Sequence, residues 1–212
     1  MDFKRGALLL AVAFALAAIV GCATSAEEPT SAGDDATTDT ADVGAGAALE
    51  GFDAIPADGA GEAEAVSALG AVLPDTRAMI ESAGSVWPEI DGVEPRLVAH
   101  LLRVDMADQV ALFEVRADGI AHSLYAYQKA FDSGSIIWTP AEIAQSPSAA
   151  PRSPRETSAV AAVQSAMTDA FPDEEFTVAV KGYRFVYIAG DAVLLTVEIG
   201  VDGAVISTNV GS

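Results

Sequence analysis

Gln109-Val110-Ala111-Leu112-Phe113-Glu114-Val115-Arg116, then Ala117-Asp118-Gly119, then Ile120-Ala121-His122-Ser123-Leu124-Tyr125-Ala126-Tyr127 is the stretch that decides the fold. Two runs rich in apolar and β-branched residues flank an Asp-Gly step, the chemistry of a tight turn between antiparallel strands. Upstream, Arg96 to Val104 has the same character, and Asp105 to Asp108 separates it from Gln109. The three runs predict an antiparallel meander.

The pattern returns towards the C-terminus. Glu175 to Ile188, Ala192 to Val201 and Ala204 to Val210 read as strands, with Gly182, Gly190-Asp191 and Asp202-Gly203 as breaks. Asp108 to Val115 followed by Asp118-Gly119 corresponds loosely to Asp191 to Glu198 followed by Asp202-Gly203, if one residue is allowed as a gap. Two helix-plus-meander repeats would account for this. So would two unrelated Asp-Gly hairpins, and both readings stay open.

Helices fill the remaining periodic segments. Ala65, Val66, Leu69, Val72 and Leu73 recur at helical spacing from Glu62, with Pro74 as the stop. Asp75 reads as the N-cap of a second short helix through Ser82, ended by Ala83-Gly84. Trp87 to Pro95 is loop. Thr139 to Glu156, with Pro140, Pro147, Pro151 and Pro154, reads as a crossover joining halves 61–138 and 156–212. Ser158 to Phe171 then carries Val160, Val163, Met167 and Ala170 on one helical face.

The expected fold class is α+β, with helices packed on antiparallel β-meander sheet(s) and one core. Two adjacent sheets, or one curved sheet wrapped around helices as in cystatin-like or nuclear-transport-factor-like folds, would accept the same element order.

Before the domain, Lys4 and Arg5 precede an uncharged apolar run, Gly6 to Val20, which has the layout of a secretory signal and is short for a membrane span. The run ends in Ile19-Val20-Gly21-Cys22, which resembles the lipobox of bacterial lipoproteins over residues 1–22. That resemblance implies a diacylglyceryl group on the Cys22 sulfur, removal of residues 1–21 and an acylated new N-terminus. Several acyl chains anchor strongly, because each buried methylene adds about 0.8 kcal/mol. The implied location is the cell membrane or outer membrane, facing the periplasm or the cell surface, with the bilayer as partner through Cys22.

Residues 22–60 are Thr, Ser, Gly, Ala, Asp and Glu with few large apolar groups, and no Lys or Arg occurs between Arg5 and Arg77. Such a segment reads as a disordered acidic tether, roughly 35 Å end to end as a flexible coil. Leu49, Phe52 and Ile55 are its candidates for docking on the domain, which is expected to occupy 61–212.

The net charge of −20 argues against nucleic acid as a partner, since phosphate contact needs clustered cations. A single cysteine excludes an intrachain disulfide, and lipidation would leave no thiol for catalysis. Gly-x-Ser-x-Gly, phosphate-loop and dinucleotide patterns are absent, and no cofactor is implied. His100 and His122 lack zinc-site spacing, although one sheet face could bring both beside Glu114. Turn acids at Asp105, Asp108, Asp169, Asp173, Glu174 and Glu175 lack the spacing of a calcium loop.

Aromatic alternation marks Tyr125 and Tyr127, and Tyr183, Phe185 and Tyr187, as candidate ligand-binding residues, with core packing as the competing role. The favoured function is therefore a tethered, non-enzymatic domain that binds an envelope protein or ligand. A carboxylate-based envelope hydrolase is the rival, and two carboxyl groups converging in a cleft would favour it. A purely structural envelope protein is the third reading.

Overall fold

In a computed structural model, residue 49 and residues 51–107, 109–128 and 147–211 are described. The expected signal segment, Cys22, the expected tether before Leu49 and residues 129–146 lie outside them.

Two helices and six strands form the domain: α1 (Ala60–Ser82), β1 (Arg96–Met106), β2 (Gln109–Arg116), β3 (Ala121–Gln128), α2 (Pro154–Ala170), β4 (Phe176–Ala189), β5 (Ala192–Gly200) and β6 (Val205–Val210). All strands join one antiparallel sheet in the order β3-β2-β1-β4-β5-β6, so the two-sheet variant does not occur.

Read outward from the β1–β4 junction, each side presents the first, second and third strand of its own half. The correspondence reaches single residues. An offset of 83 relates β1 to β4, and at that offset His100 matches Tyr183, its own cross-strand partner. Bulges fall at Val98 and at Lys181, also equivalent positions. A further bulge at Leu194 changes the offset to 84 within β5, which supplies the one-residue gap in the sequence match. Beyond it Glu114 corresponds to Glu198, and Asp118-Gly119 to Asp202-Gly203. In both turns the Asp carboxylate accepts the amide two residues on and the Gly has φ near +80°, the left-handed conformation that favours glycine.

Both helices cover the same sheet face, with their ownership exchanged. α1 lies over β4 and β5, whereas α2 lies chiefly over β1, β2 and β3 as well as β4. Each half therefore completes the other's core, and neither buries its apolar face alone. Leu97, Leu102, Val104, Phe113, Val115, Phe185, Leu195, Val197 and Ile199 face Ala65, Leu69, Val160, Val163 and Met167 in one cluster. Val66 and Ala170, expected on the apolar faces, are exposed.

Three expectations are corrected. α1 runs unbroken through Pro74 to Ser82, so Pro74-Asp75 does not separate two helices. Proline removes the amide that would bond to Gly70, but helix on both sides and packing of Leu69, Val72, Leu73 and Ile80 hold the line. α2 begins at Pro154 instead of Ser158. β4 passes through Gly182 without a break; a Cβ there would collide with the Ile199 carbonyl on β5, so glycine permits close strand approach.

The opposite sheet face is also largely buried. Val98, Val186 and Ile188 form a small cluster onto which Leu49 and Phe52 pack, while the Ile55 amide donates to the Leu97 carbonyl at 2.7 Å and its side chain enters the main core. The ordered domain thus begins before residue 61. Across this face runs a charged belt: Arg184 donates to Glu198 and to Glu114, Arg116 donates to Glu114 at 2.8 Å, and Ser207 donates to Glu198 at 2.8 Å. Ala99, opposite both Arg116 and Arg184, leaves room for the crossing. Among the described residues no helix is long and apolar enough to cross a membrane.

Gly61 and Gly70 separate propensity from packing. Both lie within α1, and alanine at an open helical site adds up to about 1 kcal/mol. Gly70 faces open space, whereas a Cβ on Gly61 would overlap Tyr183 Oη and Glu156 Oε1. Gly70→Ala is expected to raise stability, and Gly61→Ala to lower it by about 1–2 kcal/mol through overpacking. Urea denaturation of both variants checks this; a stabilised Gly61→Ala would contradict the packing described.

Candidate functional site

The N-termini of α1 and α2 converge over His100 and Tyr183 at the centre of the sheet. Gly59 is the N-cap of α1 and Ser153 that of α2, so Glu62 and Glu156 occupy the equivalent third helical position. Both are fully buried. A helix N-terminus favours a carboxylate through its free amides and dipole, and here each carboxylate also reaches the central ring residue of its own half. Glu62 Oε1 lies 3.3 Å from His100 Nε2, and Tyr183 Oη donates to Glu156 Oε1 at 2.5 Å.

Ser153 joins the two systems. Its hydroxyl donates to Glu62 Oε1 at 2.8 Å and accepts from the Glu156 amide at 3.1 Å. Glu156 Oε2 accepts the amide of Arg152, the residue before the N-cap, while the Arg152 guanidinium reaches Tyr183 Oη at 3.2 Å and Glu64 at 2.6 Å. Burial, with the Glu156 hydrogen bond second, holds the Tyr183 phenol well above its ordinary pKa, so it remains a donor. His100 and Tyr183 meet edge to face, with centroids 6.1 Å apart. Glu62 Oε2 is buried without a hydrogen-bond partner among the described residues, a costly arrangement in an apolar setting.

A half-open cleft of about 540 Å³ adjoins this cluster. Its walls are Ala54 to Pro56 and Asp58, the end of β2 with Val115 and Arg116, Gly119 in the hairpin turn, and the first turn of α2 with Pro154, Arg155 and Ser158; His100 forms the inner surface. His100 is 3% exposed. Arg155 Nε donates to Asp58 at 3.0 Å, and Arg116 reaches back to Glu114.

The aromatic candidates fall elsewhere. Tyr183 and Phe185 are fully buried and Tyr187 is 3% exposed, all within the core, and burial pushes the Tyr187 phenol up to about 12. Alternation along β4 thus marks the face that packs under the helices. Tyr125 and Tyr127 stand opposite Leu112 and Val110 in the β2–β3 register. No face unites His100, His122 and Glu114: His100 pairs with core-facing Val115, whereas Glu114 pairs with His122 on the other side. Asp105 is taken by Arg103 at 2.8 Å, and no cluster of three potential metal ligands occurs among the described residues.

Glu62, Ser153, Arg155 and Glu156 were outside the sequence-level candidates. One local signal was available, the Ser-Pro-Arg-Glu run at 153–156, which spells a capping box with proline at the first helical position. Comparison with protein-family models, curated proteins and solved structures finds no match to this chain.

Proposed function

We propose that this chain is a cell-envelope lipoprotein, lipidated at Cys22 and held on the exported side of the cell membrane or outer membrane, with a non-enzymatic binding domain whose ligand sits beside His100. The anchor half rests on Lys4, Arg5, the apolar run and Ile19-Val20-Gly21-Cys22. The binding half rests on one observation: a cleft of about 540 Å³ with a buried, oriented imidazole on its inner surface. That volume lies within the range of about 300–1,000 Å³ typical of small-molecule sites.

Carboxylate-based hydrolysis would need two carboxyl groups facing one substrate. Glu62 and Glu156 converge, but both are fully buried and neither lines the cleft. Their disposition favours binding over that chemistry.

Intact mass of the membrane-associated protein, compared with Cys22→Ala, tests the anchor; residues 22–212 plus acyl groups are expected for the native chain, and release or lack of processing for the variant. Ligand-observed NMR of envelope extracts tests the domain. A component that binds, is recovered unchanged and is excluded by Ser158→Trp in the cleft supports the reading; a component converted to product favours an enzyme.

A further inference from the structure

We propose that the sheet face opposite the helices is an interaction surface used by the chain itself: residues 129–146 dock across it, with Ile136, Ile137 and Trp138 laid on Leu101, Val110 and Leu112. Val110, Leu112 and Glu114 alternate along β2 with core-facing Ala111, Phe113 and Val115, and Leu101 stands opposite Glu114. All three apolar side chains therefore lie on the side away from the helices.

An antiparallel sheet packed on one face commonly leaves the other to water. Here Leu101 is 5%, Val110 6% and Leu112 4% exposed. None of them belongs to either apolar cluster of the described residues, whereas Leu49 and Phe52 pack on Val98, Val186 and Ile188 beyond the charged belt. The burial of the patch calls for a cover that neither helix supplies.

Chain connectivity says which segment supplies it. β3 ends at Gln128 on one edge of the sheet, and past residues 129–146 the chain pairs Ala149 with Val180 through two 2.8 Å hydrogen bonds. The β5 partners of β4 begin at Gly182, so Ala149 takes the edge of β4 that β5 leaves free. The connection passes β2, β1 and β4, roughly 15 Å at the ordinary strand spacing, and residues 129–146 can reach about 60 Å. α2 occupies the helix side of those strands, which leaves the outer face as the route across them.

The chemistry of the segment fits the patch. Phe131, Ile136, Ile137, Trp138 and Ile143 supply large apolar side chains, whereas the tether between Cys22 and Leu49 has Val43 as its sole larger apolar residue. Occupied in this way, the outer face is not free for a partner, and recognition is left to the helix side.

Hydroxyl-radical footprinting of the full chain in detergent tests this. Trp138 is expected to be oxidised several-fold more slowly in the native chain than in urea. Ile136→Ser, Ile137→Ser and Trp138→Ser combined, all outside the six strands, should raise oxidation of Leu101, Val110 and Leu112 several-fold, while Leu102 and Phe113, on the core side of the same strands, keep their protection. Trp138→Ser alone should act in the same direction.

Native oxidation of Trp138 at its rate in urea would overturn the assignment, whether or not the triple variant folds. So would unchanged protection of Leu101, Val110 and Leu112 in the variants, which would assign their cover to another segment or to detergent. Protection that is lost on dilution of the native chain, together with a dimer in analytical ultracentrifugation, would overturn it in favour of a second copy.

Discussion

Glu156→Ala is expected to cost about 3–5 kcal/mol of folding stability, the loss typical of breaking a buried charged network from one side. The carboxylate is fully buried and accepts both the Tyr183 hydroxyl and the Arg152 backbone amide. Truncation leaves the Tyr183 hydroxyl and the Arg152 backbone amide without their acceptor at the centre of the molecule. Glu156→Gln keeps an acceptor for Tyr183 and should cost only about 1–2 kcal/mol. Because each helix covers the other half's strands, the damage should appear as one cooperative shift in the urea transition. A loss below 1 kcal/mol for the alanine variant would mean that the network contributes little.

Lys181→Met should do the opposite and stabilise the protein by about 2 kcal/mol at pH 7, within the range seen when buried charge gives way to apolar side chains. Lys181 is 1% exposed, sits at the β4 bulge, and its Nζ has no hydrogen-bond partner among the described residues. Burial first and the neighbouring Arg103 second pull its pKa down to about 8, with Asp202 opposing.

The pH dependence follows from that direction. Below about pH 8 native and unfolded chains both carry the proton, so the cost of a buried ammonium is fully present. Between pH 8 and the ordinary lysine range the unfolded chain holds more protons than the native one, and native stability rises with pH. The advantage of Lys181→Met should therefore be largest at pH 7 and shrink towards pH 10. Equal advantages at both values, or a less stable methionine variant, would refute a buried charged amine.

Much of this architecture was legible locally. The β2–β3 hairpin and the β5–β6 turn carry Asp-Gly steps whose chemistry is complete within a few residues, so their positions could be read from the chain alone. The internal repeat was half legible: the one-residue gap in its sequence match is a bulge at Leu194, and bulges leave no composition signal. At Ser153-Pro154-Arg155-Glu156 the prolines nearby suggested crossover, although proline at the first helical position favours a start.

Amino-acid order by itself determined the α+β class, the meander, the positions of most strands and the acidic charge balance, because periodicity and turn chemistry act over neighbouring residues. Tertiary structure alone decided that the halves form one sheet, that their helices are exchanged, that the β4 aromatics are core, and that Glu62 meets His100 and Ser153. Those partners lie 38 and 91 residues away, and a contact made across that separation is set by how the helices dock on the sheet.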